Sequence, residues 1–140
     1  MHPAYRYVRF WSTIYLEVIQ LKILVITTDP DPHVEMVMRY LHGANLTIFD
    51  PMKFPFESQI TYQLFDGETT IRLSEKTISD VDIVWYRKPY FMTQSDMPVP
   101  SDFKAIAHKS YMNSVKWIYD TLKNAYWVSD VWAILRANNK

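Results

Sequence analysis

The run Leu21–Thr28, LKILVITT, limits the fold more than any other stretch of the chain. Apolar and β-branched residues follow one another almost without a break. A strand wet on one face would alternate with polar residues. An unbroken run instead fits a strand buried on both faces, as in a parallel sheet covered by helices. The run stops at Asp29-Pro30-Asp31-Pro32. Asp31 is a good helix N-cap, and Pro32 suits the first helical position. Val34, Val37 and Leu41 recur at helical spacing, and Gly43 follows as the expected C-terminal cap.

The remaining segments extend this pattern. Asn45–Phe49 (NLTIF) reads as a second strand, ended by Asp50-Pro51. Gln59–Phe65 and Thr69–Leu73 alternate in period 2 around Asp66-Gly67, which predicts a hairpin with one wet face. Val81–Tyr86 (VDIVWY) predicts another sheet strand, followed by a proline-containing loop. Ser101 is expected to cap a long helix reaching about Lys123, with Ala107, Tyr111, Val115, Ile118 and Leu122 turned inward. Ala125–Val128 predicts a last strand, and Ser129 or Asp130 starts a last helix. The order implies an α/β, Rossmann-like fold of three layers, with a central mostly parallel sheet and an inserted β-hairpin.

At 140 residues the chain suits one domain. Its 15 basic and 15 acidic residues cancel, so it lacks the electrostatic footprint of a nucleic-acid binder. With no cysteine, disulfide scaffolds, thiolate nucleophiles and Cys-type zinc sites are excluded. Residues 1–20 form an N-terminal extension. A signal peptide would need a small-residue cleavage site, which Gln20-Leu21-Lys22 is not. A membrane span from Phe10 to Thr28 would bury Glu17, Gln20 and Lys22, each costly at bilayer depth. The expectation is a cytoplasmic protein that does not cross a membrane.

Only two glycines are present, Gly43 and Gly67, and both are assigned to turns. A phosphate cradle needs glycines so that backbone N–H groups can approach the anion. The loop Thr27–His33 has none and carries two aspartates, so Rossmann- or P-loop-type nucleotide binding is not expected.

Asp29, Asp31, His33 and Glu35 crowd the carboxyl end of the first strand, where open α/β sheets place their ligands. As a functional set they suit hard-metal binding or a phospho-acceptor role. As a structural set they cap a helix, which is the preferred reading. Arg87, after the strand ending Trp85-Tyr86, has two open readings: a hook for a carboxylate or phosphate, or a salt bridge to Asp50 or Asp29. The four histidines show no HxxxH spacing, so no zinc site is expected. The aromatic residues Tyr111, Trp117, Tyr119, Tyr126, Trp127 and Trp132 should be mostly core, with any exposed excess marking an interface, a homodimer among the options.

These residues together resemble a known family. ILVITTDPDPHVEMVMRYL followed by FDPMKFP is similar to the opening of the microviridin-type, MvdD-like ATP-grasp ligases, which mature ribosomally made peptides. Asp50, Phe54 and Pro55 match its Asp-x-x-x-Phe-Pro element, and Val84–Pro89 (VWYRKP) resembles its Trp-Tyr-Arg signature. Tyr126–Lys140 resembles the junction to the ATP-grasp domain, with Trp127, Ala133, Ala137, Asn139 and Lys140 fitting. Ser129-Asp130-Val131 departs from the usual Asn-Pro-Pro there, and the hairpin is short. Four motifs in the right order agree independently.

The resemblance implies a pre-ATP-grasp domain over residues 21–128, with 129–140 starting the linker into an ATP-grasp domain. The full enzyme would activate a carboxylate with ATP and magnesium and form an ester or amide on a precursor peptide. Its nucleotide and metal residues would lie beyond the junction. No catalytic, cofactor or metal role is therefore carried onto this chain. Asp29, Asp31, His33, Asp50, Arg87 and Lys88 stand as candidate ligand or interdomain contacts. The implied partners are the ATP-grasp domain, or a separately encoded ligase half, and the precursor peptide. Two other readings stay open: a free-standing module adding a peptide strand to the hairpin edge, and a small phosphate- or nucleotide-sensing domain using the Asp29–Glu35 loop and Arg87.

Overall fold

The computed structural model describes residues 20–138. The extension expected at residues 1–20 and the last two junction residues, Asn139 and Lys140, lie almost wholly outside them. Among the described residues no helix is long and apolar enough to cross a membrane.

The first strand, β1 (Lys22–Ile26), is central as its sequence requires. It pairs in parallel with β2 (Asn45–Phe49) on one side and β6 (Ile83–Tyr86) on the other. A short β7 (Tyr126–Trp127) joins β6, also in parallel, so the sheet runs β2-β1-β6-β7. Because side chains alternate across a strand, β1 serves two cores. Ile23 and Val25 face α1 (Pro32–Met38) and pack around its one buried residue, Val34. Leu24 and Ile26 face α2 (Lys104–Thr121), meeting Tyr111, Val115, Ile118 and Tyr119. The last helix, α3 (Val131–Asn138), adds Val131 to that second core. Helices cover both faces of a parallel sheet, as expected.

The predicted hairpin is present. β3 (Ile60–Phe65) and β4 (Glu68–Leu73) pair antiparallel through Phe65 opposite Glu68, so the turn is the two residues Asp66-Gly67. Both have positive φ, 49° and 79°, the geometry that makes Asp-Gly a preferred hairpin turn. A two-residue β5 (Lys76–Thr77), not foreseen in the sequence, extends this to a separate sheet ordered β3-β4-β5. Ile71 and Leu73 pack into the α2-side core, and the Tyr62 ring lies 3.9 Å from that of Trp117.

Three local expectations are corrected. The first helix stops at Met38 and does not reach Leu41. Arg39, Tyr40 and Leu41 donate to carbonyls three residues back, tightening the chain into successive turns. Gly43, at φ 85°, thus closes a later turn and is not the helix cap. Ser101 makes no capping bond; its hydroxyl bonds to the Asp102 carboxylate, and a 3-10 turn (Ser101–Phe103) precedes α2.

Candidate functional site

The carboxyl ends of β1, β2 and β6 carry the polar side chains that the sequence singled out. Asp31 is their centre. One carboxylate oxygen accepts from the backbone N–H groups of His33 and Val34, at 3.0 and 3.4 Å, capping α1. The other accepts from the buried Thr27 hydroxyl at 2.8 Å and from Arg87 Nε at 3.3 Å. Burial pushes the Asp31 carboxyl up, but the Thr27 hydroxyl, the Arg87 guanidinium and the two N–H groups outweigh it and hold it at about 2. For Asp31 the capping reading is the observed one. The anion-attracting end of α1 is already filled by the chain's own carboxylate.

Asp50 does comparable work one strand away. Buried, it accepts from the N–H of Asp29 at 3.0 Å and of Met52 at 2.8 Å, which ties the loop after β1 to the loop after β2. Asp29 turns outward to Lys53, whose ammonium lies 2.7 Å from it and is pushed further up by that bond. The salt bridge considered for Arg87 therefore exists, but its partner is Asp31; Asp29 and Asp50 are engaged elsewhere.

The structure brings Asp29, Asp31, Asp50 and Arg87 into one cluster with Thr27 and Lys53. His33 stands at its rim, 3.6 Å from Asp31 and largely exposed. Lys88 is exposed at φ 48° and makes no side-chain hydrogen bond to the cluster among the described residues. No group of three or more His, Asp or Glu suited to a metal occurs among the described residues. Sequence reading missed Thr27, Lys53 and Tyr111. The Tyr111 hydroxyl donates to the Pro51 carbonyl at 2.9 Å and accepts from Met92 N–H at 3.3 Å. Lys53 had a visible signal, lying three residues past Asp50 inside the Asp-x-x-x-Phe-Pro element. Thr27 and Tyr111 had none, since each looks like an ordinary member of a buried strand or helix stripe.

Two adjoining clefts open beside this cluster. One, of about 560 Å³, is lined by Thr27, Asp31, Arg87 and Ser129 among others. The second, of about 660 Å³, is mostly apolar and lies between the segment after β6 and the face of α2. Tyr86, Lys88, Tyr90 and Ile134 border both. Tyr86 and Tyr119 meet edge to face at 6.0 Å across its floor, and burial raises both phenols.

The chain matches the model of the MvdD pre-ATP grasp domain over residues 22–135. No curated protein matches it. Among solved structures it is similar to a ribosomal-peptide (RiPP)-associated ATP-grasp ligase of Chryseobacterium gregarium, in complex with ADP and a leader and core peptide. There the identity is 24% and the TM-score 0.66, over 79% of this chain and 35% of that one. It is also similar to two macrocyclases of Microcystis aeruginosa. MdnC, bound with precursor peptide MdnA, gives 19% identity and TM-score 0.67, and MdnB gives 22% and 0.66. Each of these two comparisons covers 86% of this chain and 41% of the other. The chain thus spans less than half the length of these structures. At such identities the structural likeness speaks for the fold alone, and the family model speaks for the lineage: the chain belongs to the MvdD pre-ATP-grasp domain family.

Proposed function

We propose that this chain is the non-catalytic pre-ATP-grasp part of a ligase that forms ester or amide bonds on a ribosomally made precursor peptide. Its work is docking and positioning of the substrate or leader peptide. The observation that carries this reading is the family match over residues 22–135, combined with structural likeness to less than half of each peptide ligase. In this reading residues 21–128 are the domain and residues 129–140 lead toward the ATP-grasp part. ATP and magnesium belong to that part. Asp29, Asp31 and Asp50 are engaged by Lys53, Arg87 and backbone N–H groups, and α1 offers phosphate no free N-terminus, because Asp31 takes the N–H groups of His33 and Val34. That bonding also leaves the phosphate-sensing alternative without support.

The experiment is calorimetric titration of the purified chain, first with ATP and magnesium and then with the precursor peptide encoded beside its gene. The reading expects no heat and no hydrolysis with nucleotide, and saturable binding of the peptide. Nucleotide turnover by this chain would overturn it.

A further inference from the structure

A parallel sheet needs helices over both of its faces. A helix is about 10 Å across and neighbouring strands lie about 4.8 Å apart, so one helix covers about two strands. On one face α1 covers β1 and β2, packing Val34 on Ile23 and Val25 with Leu46 and Ile48 at the fringe. The β6–β7 half of that face is poorly covered among the described residues. Ile83 and Trp85 are only half-buried on it. Tyr126 pairs with Ile83, so it shares that side, and it is 70% exposed. Val128, next in the same alternation, is 54% exposed, while Trp127 between them turns to the opposite core. The chain enters β1 beside this bare half. The Lys22 N–H donates to the Asp82 carboxylate at 2.9 Å, and the Tyr126 N–H donates to the Asp82 carbonyl at 2.9 Å. Ahead of that entry the sequence carries an apolar stripe. Phe10, Ile14 and Val18, with Trp11, Tyr15 and Ile19, recur at intervals of four; in a helical register Ser12, Thr13, Glu17 and Gln20 fall opposite, and Leu16 alone departs.

We propose that residues 10–19 of this chain lie across the β6–β7 half of that face, with the apolar stripe on Trp85, Tyr126 and Val128 and the polar residues outward. Length selects this occupant. Ten helical residues span about 15 Å and the five residues of β1 about 17 Å, so the segment matches the height of the sheet. The tether selects it too. Only Gln20 and Leu21 separate the stripe from Lys22, a spacing within the usual range for a helix-to-strand connection. A segment held this closely has an effective concentration on the order of millimolar, which a separate molecule would have to exceed. The chemistry also agrees, since an aromatic and aliphatic stripe meets an aromatic and aliphatic patch and both leave water together. The family match begins at residue 22, so this cover is an addition to the matched domain and independent of the peptide reading.

The chain has no cysteine, so a thiol introduced into the full chain reports on one place alone. Tyr126 and Ile106 are 70% and 65% exposed among the described residues, and Ile106 lies on α2, across the sheet. Toward dithionitrobenzoate, Tyr126→Cys is expected to react about tenfold more slowly than Ile106→Cys, because the segment shields it. Adding Ile14→Asp to Tyr126→Cys should restore the fast rate. In the double variant Ile14→Cys, Tyr126→Cys a short bismaleimide should close a cross-link within one chain. The pair Ile14→Cys, Ile106→Cys should give none. Tyr126 is exposed and cysteine keeps position 14 apolar, so the cross-link decides should Ile14→Asp unfold the chain. Equal rates for the two single thiols overturn the proposal. Slow reaction that persists with Ile14→Asp in a folded chain overturns it as well, by taking the stripe out of the cover. So does cross-linking between chains, or protection lost on dilution, either of which gives the face to a second copy.

Discussion

The two faces of the central sheet are covered very unequally. The α2 side holds a continuous core built from β1, β2, β6, the hairpin sheet, α2 and Val131. The α1 side holds three buried residues, Ile23, Val25 and Val34, with a fringe of half-buried ones. The thick face is held by many apolar contacts at once. The thin face depends on seven residues of helix, too short to be stable alone, whose entry is fixed by one carboxylate. The same carboxylate orients Arg87 beside the clefts. Stability and site geometry are thus separated: most cohesion lies on the α2 side, while the candidate site depends on the thin side's anchor.

Truncating each face measures that inequality. Phe49 is fully buried in the thick core and packs against Phe54 at 6.3 Å. Phe49→Ala should cost about 4 kcal/mol, a large share of a typical domain's stability, read as a fall in the urea midpoint at unchanged slope. Val34→Ala on the thin face should cost about 2 kcal/mol, because fewer atoms are removed. The comparison breaks if Val34→Ala proves the more damaging. It sharpens if hydrogen exchange shows α1 opening in that variant while α2 stays protected.

Much of this division could be read from the residues themselves. LKILVITT announced a strand buried on both sides, Asp66-Gly67 announced the hairpin, and Tyr111, Val115, Ile118 and Leu122 announced the buried face of α2. The early end of α1 was hidden. Leu41 continues the helical period, yet it is half-buried against the sheet from a turn and not from a helix. Two-residue β5 was hidden because so short a strand leaves no periodicity to detect. At the site, the residue types were legible and their pairing was not. Three aspartates stand near Arg87 and Lys53 in the sequence order of strand ends, and only the fold decides that Asp31 takes the arginine and Asp29 the lysine. Clefts bounded by the strand ends, the segment after β6 and the face of α2 left no local signal either, because each wall comes from a different part of the chain.

Asp31→Ala tests the anchor. It removes the cap of α1 and the partner of Arg87, and should cost about 1 to 2 kcal/mol, less than either core truncation. Its pH dependence has a definite sign. The folded carboxyl is held at about 2, below its ordinary value near 3.8, so its stabilisation is complete above that ordinary value and is lost as pH falls from there toward 2. Wild type and Asp31→Ala should therefore differ in urea midpoint at pH 7 and converge between about pH 4 and pH 2. A constant gap down to pH 2 would show that the carboxylate charge contributes nothing.

The thick face has one flaw of its own. The Tyr119 hydroxyl is buried and has no hydrogen-bond partner among the described residues, while its ring packs edge to face on Tyr86 and Trp127. A buried unsatisfied hydroxyl opposes folding, so deleting the oxygen alone should help. Tyr119→Phe should raise stability by about 1 kcal/mol, the smallest effect here and the only favourable one. Since the ring is kept, its packing on Tyr86 and Trp127 should persist. A fall in stability would mean that the hydroxyl has a partner, and it would place part of the thick face's cohesion in a polar contact.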